Sequence, residues 1–263
     1  MSEPATPVPA ATILMLRNHH KNGLEVFMVV RHHQIDFASG ALVFPGGKVD
    51  KGDAEVRDHC HGAEDAEDAA HSSMVGAIRE AFEECGILLA RTTGESNLVS
   101  GERLASLEHY RDSLNKGAIS LLEFLTKENL ILACDQLQPF AHWITPGMMP
   151  KRFDTYFYLA KAPDDHIAIH DGHESVDSIW ISPGSALAGT ENETYTIIFP
   201  TQLNIEMLSE SSSVENALEM AKARTIVPVL PRIEKRQDGN YLCIPAEAGY
   251  RISEMKMEKG NTP

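Results

Sequence analysis

Between Arg79 and Ile87 the chain reads Arg-Glu-Ala-Phe-Glu-Glu-Cys-Gly-Ile, and no other stretch restricts its fold as much. Glu80, Glu83 and Glu84 stand at i, i+3 and i+4. On a helix, at about 100° per residue, they project from one face. The spacing predicts a helix over Met74–Cys85. Ala77, Ile78, Ala81 and Phe82 form its apolar stripe, and the acids lie mostly on the other side. Gly86 stands where a left-handed cap would end it. Like charges at this spacing repel by about 0.2–0.5 kcal/mol per pair, and a helix C-terminus disfavours negative charge. Local energetics therefore oppose the arrangement unless a cation offsets it. A hard divalent ion such as Mg²⁺ takes oxygen ligands and would reverse the sign. Arg79 can ion-pair within the cluster. Upstream, Phe44-Pro45-Gly46-Gly47 offers backbone carbonyls that no Cβ shields at the glycines.

Strand-like runs flank this helix. Ala11–Arg17 and Glu25–Arg31 predict a hairpin, Ala41–Phe44 a short third strand, and Phe140–Thr145, Thr155–Ala160 and Ser178–Ile181 later strands. Residues 101–127 look helical twice over. Leu203–Leu208 and Val214–Ala223 predict two more helices, and Pro228–Tyr250 a terminal hairpin around Asp238-Gly239. Val49–Ala70 is polar and acidic with no wide apolar face, so an exposed insertion is expected. The plan is α+β. Expected boundaries are a loose arm over 1–10, a main domain over 11–200, and a helical extension over 201–263 packed on it.

Composition narrows the function. The 263 residues are 43% hydrophobic and carry a formal charge of −15. A core can form without disulfides, and a general nucleic-acid binder is excluded by the charge. An anionic substrate would need a divalent ion and local basic groups. Four cysteines without a CxxC pair, a start lacking a signal peptide, and no long apolar run point to a cytoplasmic protein without a membrane anchor.

With these residues in view, the chain resembles the Nudix hydrolases, whose box is G-x5-E-x7-R-E-U-x-E-E-x-G-U, U being aliphatic. Gly47 fits the first Gly, and Asp53 occupies the place of the first Glu. Arg79, Glu80, Glu83, Glu84, Gly86 and Ile87 fit the second half. Residues 54–78 stand in place of the x7 spacer, with about 54–72 as inserted material. The insertion, with GALVFPGG, REAFEECGILL and ITPGMMPKRFDTYFYL, is similar to the coenzyme A diphosphatase branch. One departure is Asp36, where that branch's signature has Arg.

The resemblance implies a Nudix fold, a mixed β-sheet sandwiched between helices. It also implies a Mg²⁺- or Mn²⁺-dependent pyrophosphohydrolase. Glu83 and Glu84 would be the main metal ligands, Glu80 a ligand or the base, and the Gly47 carbonyl a further ligand. Arg79 would orient the carboxylates. Glu174, in the loop before Trp180, would be a base or an additional ligand. Coenzyme A or acyl-CoA is the expected substrate. ADP-ribose or NADH, and a non-catalytic ligand-sensing module, are the alternatives. Among basic and aromatic residues, Arg31, Lys48, Arg152 and Phe153 are the candidates for binding it. The expected partner is a small nucleotide-diphosphate substrate, and a homodimer is possible. The twelve histidines carry no metal spacing: His59-Cys60-His61 lacks it, and His173-Glu174 does not continue as HExxH.

Overall fold

The first strand, β1 (Val8–His19), is apolar on both faces. Ala11, Ile13 and Met15 face one way, Leu14 and Leu16 the other, and all five are buried. Such a strand has to lie inside layers. The computed structural model describes residues 5–31, 40–168, 170 and 175–257, leaving aside the side chains of Arg31 and Val176. After β1 come β2 (Gly23–Arg31), β3 (Leu42–Val43), β4 (Gly46–Lys48) and β5 (Cys60–His61). Helix α1 (Asp68–Cys85) and β6 (Ala90–Thr92) follow, then α2 (Gly101–Leu107), α3 (Tyr110–Asn115) and α4 (Leu121–Glu128). Next are β7 (Leu130–Ala133), β8 (Gln138–Ile144), β9 (Phe153–Lys161) and β10 (Ser175–Ile181). The chain continues through α5 (Pro183–Glu191), α6 (Phe199–Leu208) and α7 (Val214–Ala223) to β11 (Arg232–Arg236), β12 (Gly239–Cys243) and β13 (Glu254–Lys256).

The main sheet runs β10-β2-β1-β9-β8, with β3 added to β2 and β4 to β1. It is mixed: β1 and β9 run parallel from Val8↔Phe153 to Leu16↔Lys161, and the other pairs are antiparallel. Each face carries its own core. Ile13, Met15, Phe27, Val29 and Tyr158 pack with Ile78 and Phe82 of α1 and Leu107, Leu114 and Phe124 of the helical insert. Leu14, Leu16, Val26, Met28, Phe157 and Leu159 pack with Ala186, Leu203, Ile205 and Ala217 of α5–α7. A sheet between helices is the architecture that the sequence led one to expect.

Three boundaries differ from expectation. Pairing begins at Val8, so the N-terminal arm is shorter than 1–10. The extension is helical only through α7. Beyond it β11, β12 and β13 form a small antiparallel sheet, of which the hairpin at Asp238-Gly239 is the first half. The acidic insertion is not a plain exposed loop. Val56 and Ala63 are buried, β5 pairs in parallel with β7, and α1 starts at Asp68 rather than Met74. The reason is Arg57. It donates to the Ala66 carbonyl at 3.0 Å and to Asp68 at 2.9 Å, which folds the segment onto the start of α1.

The stacked rings of Phe82 and Phe124, 5.6 Å apart and both buried, join α1 to the helical insert. Phe82→Ala is expected to lower stability by about 3–5 kcal/mol, measured by urea unfolding, with the loss shared by far-UV and fluorescence signals.

Candidate active site

Two elements carry the site: β4 and the second half of α1. β4 is fixed by β1 through Thr12↔Gly46, Ala11↔Gly47 and Ala10↔Lys48. Val49 continues this tie by donating to the Pro9 carbonyl at 3.0 Å. Glu80 then lies directly over Gly47, so closely that a Cβ at Gly47 would overlap the carboxylate. Glu84 Oε2 accepts from the Gly46 N–H at 2.9 Å. α1 stops at Gly86, at φ 69°, where Gly86 N–H donates to Phe82 and Ile87 N–H to Ala81.

Arg79 binds these parts into one unit. Its five N–H groups are all used. Nε and Nη2 donate to the two Asp53 oxygens at 2.8 and 3.0 Å, and Nη2 also to the Lys48 carbonyl at 2.8 Å. Nη1 donates to Glu80 at 2.9 Å and Glu83 at 3.1 Å. Asp53 is fully buried, and its Oδ2 also accepts from the Asp50 N–H at 2.8 Å. Gly76 leaves room for this approach, since a Cβ there would stand 3.1 Å from Asp53 Oδ2. Burial alone would favour neutral Arg79. The bond to Asp53 and the charges of Glu80 and Asp53 outweigh it and hold the guanidinium protonated. Burial pushes the Glu83 carboxyl up to about 8. Arg79 opposes that rise, and Glu80 adds to it.

Gly47, Arg79, Glu80, Glu83 and Glu84 are therefore brought together as the sequence anticipated. Of the expected substrate residues, Lys48, Arg152 and Phe153 are not gathered with them. Lys48 pairs with Ala10, so its exposed side chain leaves the sheet on the face away from α1. Phe153 shares that face with Phe157 by alternation. Arg152 is engaged at the β8–β9 turn, donating to the carbonyls of Thr145 at 2.9 Å and Ala5 at 2.6 Å. Arg31 ends β2 opposite Ser175, and its side chain is not described. Glu174 and Asp36 lie outside the described residues. Sequence reasoning missed Arg111, which reaches the Glu83 carbonyl from α3. No motif links that position to the box.

Among the described residues no group of three His, Cys, Asp or Glu side chains stands ready as a metal cage. Arg79 draws Glu80 and Glu83 to itself. The donor chemistry nevertheless fits a hard divalent ion. Every donor is an oxygen: the carboxylates of Glu80, Glu83 and Glu84 and the carbonyl of Gly47.

A sheet between helices and an arginine-braced carboxylate helix on a glycine strand define a Nudix-type hydrolase. The chain belongs to the family described as the NUDT19 Nudix domain, whose model matches residues 65–208, just over half of its length. A Caenorhabditis elegans protein carrying the name nudix hydrolase 7 is 26% identical over 232 residues, covering 88% of this chain and 71% of the relative. The Xenopus laevis acyl-coenzyme A diphosphatase NUDT19 is 21% identical over 279 residues, covering 89% and 73%. The crystal structure of a NUDIX hydrolase from Alicyclobacillus acidocaldarius matches with a TM-score of 0.66 at 25% identity, over 82% of this chain and 96% of that one. The chain is thus an enzyme, a Nudix pyrophosphohydrolase, of a family that acts on small nucleotide-diphosphate substrates and generally uses divalent metals. Among the described residues no helix is long and apolar enough to cross a membrane.

Two outcomes follow from this geometry. Asp53→Asn leaves the buried Arg79 without its bidentate partner and is expected to cost about 3–5 kcal/mol of stability by chemical denaturation. In metal-free protein, Glu83 holds a proton up to about pH 8 that the unfolded chain releases near 4.5. Stability conferred by that proton is present below about pH 4.5 and is lost as pH rises towards 8. Its slope is up to about 1.4 kcal/mol per pH unit. Unfolding curves between pH 5 and 8 should show this fall, and Glu83→Gln should flatten it.

Proposed function

We propose that the chain is a Mg²⁺- or Mn²⁺-dependent pyrophosphohydrolase of coenzyme A or acyl-CoA. The products are 3′,5′-ADP and phosphopantetheine or its acyl form. The observation that carries the chemistry is Glu80 over Gly47, Glu84 on the Gly46 N–H and Glu83 on Arg79, braced by the buried Arg79–Asp53 pair. The substrate assignment is supported by the name of the Xenopus relative and by the box insertion.

Glu83, Glu84, Glu80 and the Gly47 carbonyl would hold the ion. When bound, it neutralises the pyrophosphate charge and acidifies the attacking water. Arg79 keeps Glu80 and Glu83 on the side of α1 that faces β4, and Asp53 keeps Arg79 there. Glu80, half-buried where Glu83 and Glu84 are buried, is the first candidate to take the water proton. Glu174 is the second candidate for that role, from its loop position in the sequence.

The test is a Mg²⁺-dependent hydrolysis panel read by mass spectrometry: CoA, acetyl-CoA, a long-chain acyl-CoA, ADP-ribose and NADH. 3′,5′-ADP from the CoA compounds, abolished by EDTA and cut about 10³-fold in kcat by Glu83→Gln, is the expected result. Turnover of ADP-ribose or NADH alone would overturn the substrate assignment and bring Asp36 forward as its reason. Near-full kcat in Glu83→Gln would overturn the ligand assignment.

A further inference from the structure

Helix α1 ends on its own negative pole. Its last turn contains no basic residue, and Glu83 and Glu84 add charge where the unpaired carbonyls already concentrate negative potential. A cation reaches this pole from elsewhere in the chain. Arg111, on α3, donates from Nε and Nη2 to the Glu83 carbonyl at 3.2 and 3.1 Å. Its Nη1 donates to Glu108 at 2.5 Å, and its side chain is only 12% exposed. Gly86 gives it room, since a Cβ there would stand 3.0 Å from Nη1. The support for α3 is itself firm. Tyr110 is buried against Phe124, with ring centroids 4.9 Å apart, and its hydroxyl donates to Glu128 at 2.6 Å.

We propose that Arg111 is a positioning residue for the divalent-ion ligands. Two N–H groups of one rigid fork on a single carbonyl fix the direction of the last turn of α1 as well as its charge. That turn sets the directions from which Glu83 and Glu84 present their carboxylates. The helical insert over 101–128 is thereby part of the site's machinery, through one side chain. The proposal rests on the metal reading above.

The experiment uses the full chain, stripped of metal, and measures Mn²⁺ binding by isothermal titration calorimetry beside steady-state hydrolysis. Arg111→Gln is expected to weaken Mn²⁺ about tenfold and to lower kcat with KM for the CoA substrate little changed. Arg111→Lys, which keeps the charge and loses the fork, should recover only part of the affinity. Arg103→Gln is the control. It breaks an ion pair with Glu128 in the same insert, and should lower Tm without changing Mn²⁺ affinity. Unchanged affinity in folded Arg111→Gln would reduce Arg111 to a helix cap and overturn the proposal, as would an equal loss in Arg103→Gln. Should Arg111→Gln not fold, Glu108→Gln loosens the same guanidinium. A weaker Mn²⁺ affinity there supports the proposal, and an unchanged one overturns it. A wild-type chain that binds no Mn²⁺ overturns the metal reading and the proposal together. Mn²⁺ binding without CoA hydrolysis overturns only the substrate assignment.

Discussion

A buried guanidinium is the constraint on which the site depends. Removing an ion from water costs several kcal/mol unless every donor is met. Arg79 meets this through Asp53, Lys48, Glu80 and Glu83. These partners come from three places: the end of β4, the turn after it and α1 itself. Any two of them could be placed loosely, but one planar fork with five directed bonds leaves little freedom. The carboxylates are therefore held by an internal cation before any external one arrives. The guanidinium thereby ties Glu80 and Glu83 to one side of the helix end.

The sheet contributes by giving α1 a floor. β4 is only three residues long, yet β1 binds it on the inner side, and Gly47 presents bare backbone to Glu80. The same β1 carries β9 on its other edge, and Tyr158 of β9 donates to Ser73 of α1 at 3.0 Å. Both halves of α1 thus rest on strands paired to β1. Core packing through Ile78 and Phe82 and site geometry through Glu80 and Glu84 follow from one helix orientation.

Most of this was legible where chemistry imposes a spacing. The i, i+3, i+4 acids and the Gly86 stop were visible because helix geometry is local, whereas Gly46-Gly47, expected as a loop, pairs with β1 as β4. The two-faced burial of β1 was half visible, since Ala11–Arg17 is an apolar run. What was not legible depends on partners distant in sequence. Arg152 looked like a phosphate grip because it is basic, and it spends its donors on the carbonyls of Thr145 and Ala5. Lys48 follows the site's glycines in sequence and Phe153 follows the basic pair Lys151-Arg152, while strand alternation turned both to the other face. Val56 and Ala63 are buried on either side of β5, whose Cys60 and His61 pair with a strand some seventy residues later, which no local pattern encodes.

The insertion inside the box shows the same logic. A longer loop costs little closure entropy, growing only with the logarithm of its length, provided its ends meet in a fixed geometry. Here the first end is fixed by the Arg79–Asp53 pair, and the second by Arg57 on Asp68 and the first turn of α1. Between them β5 joins β7, and Gly62 passes so close to the Asp135 backbone that a Cβ there would stand 2.6 Å from its nitrogen. The inserted residues therefore need not preserve the spacing between glycine and arginine, because tertiary contacts restore it. Asp53 reaches Arg79 from its own turn, where Gly76 leaves its carboxylate room beside the helix. Spacing in the chain and spacing in the site are separable, and only the second is under chemical constraint.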